Sequence, residues 1–285
     1  MRSIRTWMAL MFMVMLSHGQ AWAELVTLDL QPGLTARAEY RPGAGDKPAV
    51  LILHGFLQTH NFPTVHNLAE GLAAAGYSVL TPTLTLGVTH RRQSLPCEAI
   101  HTHSREGNMR EFDAWLRWLR ARGHRRVVLV GHSLGSAELL LYLQARRPSA
   151  VAHFIALSLV DTRSDFKANG LDQLRQTMQQ RAARGDRQAQ RHSLSFCRNF
   201  NAVPQTFASY LAITPDSLAA AARGLPIPAT FIMGGGDERL GSGWIDRLRG
   251  TGKTVIVIPN ASHFLDGEHE FELIDAVLSV LKQIA

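Results

Sequence analysis

The pentapeptide Gly131-His132-Ser133-Leu134-Gly135 sets a serine between two glycines, directly after the apolar run Val127 to Val130 and directly before a helical stretch opening at Leu134. On a tight strand-to-helix turn a serine hydroxyl is thrown outward, and glycines two positions to either side let the strained backbone and its flanking chains approach closely. The helix N-terminus that follows adds a dipole favourable to developing negative charge. This placement suits nucleophilic attack. A hydroxyl is a weak nucleophile, so Ser133 needs a neutral imidazole to take its proton and a carboxylate to fix the imidazole's tautomer.

Among 13 histidines, His263 is the expected base, because Pro259-Asn260-Ala261-Ser262-His263-Phe264 reads as a loop just after the last apolar run, Thr254 to Ile258. His132 adjoins the serine but is expected to point away from it. Gly234-Gly235-Gly236-Asp237 follows the run Ala229 to Met233. That is the C-terminal end of a strand, where open α/β sheets assemble their sites, so Asp237 is the expected acid. Asp161 and Glu238 compete for the role, and Asp266 stands too close to His263 on one loop. A tetrahedral intermediate also needs donors for its oxyanion, commonly two backbone N–H groups. Leu134, next after the serine, is expected to supply one, and Phe56, in His54-Gly55-Phe56 at the end of Ala49 to Leu53, the other.

These residues need elements to hold them. Residues 24–40 alternate apolar and polar about a turn at Gly33, which predicts a two-stranded ribbon. Ala49 to Leu53 is continuously apolar, as in a strand buried on both faces of a parallel sheet. Helices then alternate with strands: a helix at 68–75, a strand at 77–84, a helix at 108–122, a strand at 127–130, a helix at 134–146 and a strand at 151–159. Such alternation predicts βαβ units. Met109, Phe112, Trp115, Leu116 and Leu119 are expected to be core. Between Asp161 and Arg223 the strand rhythm gives way to polar helical stretches, including Leu171 to Arg184, before strands return at 229–233 and 254–258 and a helix closes the chain from about Glu270.

In its order of His54-Gly55-Phe56, Gly131 to Gly135, Asp237 and His263, the chain resembles the α/β-hydrolase family over roughly residues 35–285. The resemblance implies an α/β fold with a mostly parallel, eight-stranded sheet flanked by helices and a helical cap inserted at residues 161–224. It implies a triad of Ser133, Asp237 and His263, with Phe56 and Leu134 as oxyanion donors. Serine at the elbow argues against the dehalogenase and epoxide-hydrolase branches, which use aspartate. The expected bond is a carboxylic ester of a small molecule or lipid, with amide, thioester and carbon–carbon cleavage behind it. The rivals are a non-catalytic binding protein on this fold and a hydrolase of envelope-bound substrates. The segment from Gly87 to Arg105 is long for the family and is expected to shape the pocket or latch to the cap. Leu194, Phe196, Phe200, Phe207, Tyr210 and Leu211 could line a pocket or form the cap's own core.

The 285 residues are 46% hydrophobic and 19% charged, which suits one globular domain. Arg2 and Arg5, an apolar run from Trp7 to Leu16 and Ala21-Trp22-Ala23 predict a cleaved signal peptide at 1–23, too short to be a stable membrane span, and hence a secreted or periplasmic protein of residues 24–285. Cleavage removes Arg2 and Arg5 and no acid, lowering the formal charge from +7 to +5. The basic clusters, among them Arg91-Arg92, are small and read as solvated surface, with no nucleic-acid groove. In an oxidising compartment Cys97 and Cys197 are expected to pair. His101 and His103 lack a third ligand and read as surface or hydrogen-bonding residues, no glycine-rich nucleotide loop is present, and no metal or cofactor is expected.

Overall fold

In the computed structural model, residues 23–160 and 170–284 are described. The expected signal peptide, Ala23 apart, and Asp161 lie outside them. Strands β1 (Glu24–Gln31) and β2 (Leu34–Arg41) form the expected antiparallel ribbon, turning at Gly33 with φ +79°. The alternation continues through β3 (Ala49–Leu53), α1 (Pro63–Ala74), β4 (Val79–Thr83), α2 (Arg105–Ala121), β5 (Val127–His132), α3 (Leu134–Arg146) and β6 (Val151–Leu157). After an intervening segment come β9 (Ala229–Gly234), α7 (Trp244–Arg249), β10 (Thr254–Ile258) and α8 (Glu270–Ile284). The intervening segment holds α4 (Leu171–Ala183), the strands β7 (Gln190–Leu194) and β8 (Cys197–Ala202), α5 (Pro204–Leu211) and α6 (Pro215–Arg223).

Eight strands form one sheet in the order β1-β2-β4-β3-β5-β6-β9-β10, in which β2 alone is reversed. Side-chain alternation divides each central strand between two cores. Leu51, Leu53 and Leu129 face one that includes Phe112 and Trp115 of α2 and Leu140 of α3. Val50, Ile52, Val128 and Val130 face the other, against Leu68 and Leu72 of α1 and Leu273 and Val277 of α8. Burial on both faces is why these strands read as unbroken apolar runs.

Helix α1 starts five residues before the expected 68, with Pro63 in its first turn, where the missing N–H costs nothing and the fixed φ suits a helix. Helix α2 starts at Arg105 rather than Asn108, because Ser104 caps it by accepting from the Gly107 N–H at 3.2 Å. The segment expected to hold helical stretches also contains the β7–β8 hairpin. Its strands carry few β-branched residues and depend on tertiary partners: the Cys97–Cys197 disulfide, and the pairing of His101 with β8 through His101 N–H to Asn201 O at 2.9 Å and Val203 N–H to His101 O at 3.1 Å.

In the 87–105 segment Arg91 departs from the sequence expectation, and of the two readings of His101 and His103 the hydrogen-bonding one holds. Arg91 is buried at 3% exposure, not solvated, because five acceptors within the fold replace water around its guanidinium. His101 and His103 are buried hydrogen-bonding residues rather than surface ones, contacting Pro96 O at 3.1 Å and the Tyr210 hydroxyl at 2.6 Å. Five of the six apolar residues considered as pocket lining, Leu194, Phe200, Phe207, Tyr210 and Leu211, are core; Phe196 is 44% exposed.

Two carboxyls lie in the interior beside this segment. Glu111 of α2 accepts from the Thr85 N–H at 3.1 Å and its hydroxyl at 2.9 Å, and Glu138 of α3 accepts from the Asn108 amide at 3.2 Å. Burial pushes each up to about 7. For Glu138 the folded protein keeps a proton that the unfolded chain releases at an ordinary value of 4.5, so stability falls as pH rises from there to about 7. Glu138→Gln removes that titration while keeping the side-chain shape. Thermal unfolding of this variant is expected to weaken less between about pH 5 and pH 8 than that of the wild type, and identical pH dependence would contradict the assignment. Cys97→Ser with Cys197→Ser is expected to lower the unfolding midpoint by about 5–15 °C, corresponding to the ~2–5 kcal/mol lost with a native disulfide. An unchanged midpoint would contradict it.

Candidate active site

Ser133 sits between β5 and α3 with φ 55° and ψ −125°, a backbone conformation that costs a residue with a side chain about 1–3 kcal/mol. The surroundings hold it there. Its N–H donates to Leu157 O at 2.8 Å, and the Ser136 hydroxyl ties Gly131 O at 2.6 Å to Leu157 O at 3.0 Å. The glycines are required by contact: a Cβ at Gly135 would lie 2.3 Å from His54 O, and one at Gly131 2.6 Å from the Ser136 backbone. The first turn of α3 therefore rests directly on the end of β3.

The expected acid and base follow the ends of β9 and β10, whose loops pack backbone to backbone. Gly235 N–H donates to Ile258 O at 2.8 Å and Gly236 N–H to Ala261 O at 3.0 Å, and a Cβ at Gly234 would lie 2.4 Å from Ala261 O. This contact brings His263 Nδ1 to 2.8 Å from Asp237 Oδ2 and His263 Nε2 to 2.9 Å from Ser133 Oγ. The Asp237 carboxylate can only accept, so Nδ1 carries the imidazole proton and the Nε2 lone pair faces the serine hydroxyl. Both side chains are sheltered, at 0% exposure for Asp237 and 4% for His263, and the Arg239 N–H donates to the other Asp237 oxygen at 2.9 Å.

The remaining candidates stand elsewhere. His132 is buried, stacks on Phe62 and lies with Nε2 3.2 Å from His263 O, so it supports the backbone of His263 and does not address the serine. Burial drives its pKa down to about 3, leaving it neutral. Asp266 accepts from the Ser262 hydroxyl, and Glu238 makes no contact with His263 among the described residues.

Register places the two expected oxyanion donors. Leu53 of β3 pairs with Gly131 of β5, so the loop after β3 lies beside the serine. The N–H groups of Phe56 and Leu134 have no acceptor among the described residues. The loop at 54–58 is closed by Gly55 N–H to Gln58 Oε1 at 3.1 Å, and the ring of Phe56 packs against Phe196, Phe200 and Tyr210 at 5.3–5.7 Å. Sequence reasoning missed the part played by His54, whose side chain fixes this loop, and by Arg91, which reaches it from 33 to 37 positions along the chain. No periodicity marks a buried arginine inside an irregular segment. Among the described residues, no group of three or more His, Cys, Asp or Glu could hold a metal ion, and no helix is long and apolar enough to cross a membrane.

No protein of curated function matches the chain. Solved structures do. Est1E from Butyrivibrio proteoclasticus has a TM-score of 0.66 at 14% identity, covering 91% of this chain and 98% of that one. The α/β hydrolase GrgF from Penicillium sp. sh18 has a TM-score of 0.70 at 14% identity, covering 92% and 98%. The thioesterase domain from the curacin biosynthetic pathway has a TM-score of 0.59 at 16% identity, covering 91% and 99%. At these identities the likeness is one of fold. The sequence itself matches the model of the alpha/beta hydrolase family over residues 50–276, and with the eight-stranded sheet above this makes the chain a member of the α/β-hydrolase family.

Proposed function

We propose that this protein is a serine hydrolase that cleaves carboxylic esters of small molecules or lipids through an acyl-enzyme on Ser133. The observation that carries the reading is the continuous hydrogen-bonded line Asp237–His263–Ser133, beside two backbone N–H groups that have no acceptor among the described residues. Ser133 Oγ attacks the ester carbonyl carbon while its proton passes to His263 Nε2. Asp237 stabilises the imidazolium, and the N–H groups of Phe56 and Leu134 receive the negative oxygen of the tetrahedral intermediate. Collapse breaks the bond to the alkoxy oxygen, which leaves with the proton from His263. Water then repeats the sequence on the acyl-enzyme, releasing the carboxylic acid and restoring the serine.

The esterase and thioesterase names among the fold's neighbours favour acyl transfer. We read residues 24–285 as one hydrolase domain, with 161–224 as a cap that carries substrate selection. The disulfide between Cys97 and Cys197 favours an oxidising compartment, secreted or periplasmic, since such links rarely persist in the cytosol. On a chromogenic short-chain ester, Ser133→Ala and His263→Ala are expected to lower kcat by about 10⁴-fold or more, and Asp237→Asn by about 10⁴-fold through the wrong imidazole tautomer. Turnover surviving in Ser133→Ala would overturn the nucleophile assignment. A folded wild type without turnover of esters of any chain length would favour a binding role.

A further inference from the structure

The guanidinium of Arg91 has five N–H donors, and the fold supplies five acceptors. Nε donates to Leu84 O, Nη1 to Leu57 O at 3.2 Å and Gln93 O at 2.9 Å, and Nη2 to Gln58 O at 2.7 Å and His54 Nε2 at 3.2 Å. Three of these acceptors lie within two residues of Phe56. Because an arginine can only donate, and the Leu84 N–H also donates to His54 Nε2 at 3.1 Å, that ring nitrogen is an acceptor and the proton of His54 resides on Nδ1. Nδ1 in turn lies 2.8 Å from Gly55 O.

That carbonyl belongs to the same peptide unit as the Phe56 N–H. In a trans peptide the C=O and N–H point in opposite directions, so the bonds that hold Gly55 O, from His54 Nδ1 and from the Gln58 N–H at 3.3 Å, also fix the direction of the Phe56 N–H. We propose that Arg91 is a positioning residue that acts through His54 to aim and polarise the Phe56 oxyanion donor. The line Arg91–His54–Gly55 parallels Asp237–His263–Ser133: in each, the side chain that bonds one ring nitrogen of a buried imidazole decides which nitrogen carries the proton. The Arg91 charge also strengthens the chain of bonds beyond it, since hydrogen bonds in series polarise one another where water is excluded. Burial lowers Arg91 only to about 10, so the charge persists at neutral pH, while burial, and after it the Arg91 charge, hold His54 neutral.

This inference rests on the proposed esterase reading, and its test separates the two. Wild-type turnover and its loss in Ser133→Ala examine the reading; the ratio of variant to wild type examines Arg91. Arg91→Lys keeps the charge and loses the fork, and His54→Asn keeps a donor near Gly55 O but loses the acceptor for Arg91. With active enzyme counted by phosphonate titration, Arg91→Lys is expected to lose about 10- to 100-fold in kcat with KM within about twofold, because the donor serves the transition state and not the bound ester. Affinity for a boronic acid that forms a tetrahedral adduct should fall in parallel. Should Arg91→Lys not fold, His54→Asn carries the test with a smaller loss of the same pattern. The residual dipolar coupling of the Phe56 N–H reads its orientation without turnover, and is expected to change in the variants while that of Leu134 does not. Folded variants with kcat and boronate affinity within about twofold of wild type, or an unchanged Phe56 coupling, would overturn the proposal.

Discussion

Direct backbone contact at the C-terminal ends of neighbouring parallel strands is the constraint on which the rest of the site depends. Gly135 lets α3 rest on the carbonyl of His54, and Gly234 lets the loop after β9 rest on the loop after β10. Without the first contact the serine turn and the loop after β3 could not be neighbours. Without the second, Asp237 and His263, 26 positions apart in the chain, would not close into a 2.8 Å hydrogen bond. Hydrophobic burial on both faces of the sheet makes this tolerable, because it secures the strands from which all these loops emerge.

Charge placement follows from that geometry. The line through His263 operates in a sheltered space where a hydrogen bond is stronger than in water and an unpaired polar group is costly. The same holds for Arg91, which makes a full set of bonds and ties the loop that carries Phe56 to the irregular segment from Leu84 to Ser104. That segment is fixed again at its far end, by the disulfide and by the pairing of His101 with β8. A chain region without regular structure thereby links the hairpin of the β6–β9 insertion to the loop that carries Phe56. The edge-on packing of Phe56 against Phe196 and Tyr210 makes the same link through side chains.

How much of this could be read from the residues depended on whether the information was local. The serine turn, the strand runs and the helix at 134–146 were legible because periodicity and glycine spacing report local backbone geometry and burial. That Asp237 and His263 would lie near Ser133 was legible because both follow strand runs. The β7–β8 hairpin was not, because its strands are held by Cys97 and His101 rather than by their own β-propensity. Arg91 was misread as surface for a related reason: its burial is compensated by carbonyls from Leu57, Gln58, Leu84 and Gln93, and no local pattern announces such a convergence. The buried carboxyls of Glu111 and Glu138 were hidden by the same kind of non-local partner, Thr85 in one case and Asn108 in the other.

In the proposed triad Ser133 is made nucleophilic by its surroundings. Reaction of the purified protein with a fluorophosphonate, followed by intact mass and peptide mapping, addresses it most directly. The account predicts one phosphonyl group per molecule, located on Ser133, with no modification of heat-unfolded protein. No adduct on the folded protein, or an adduct on a different residue, would contradict it.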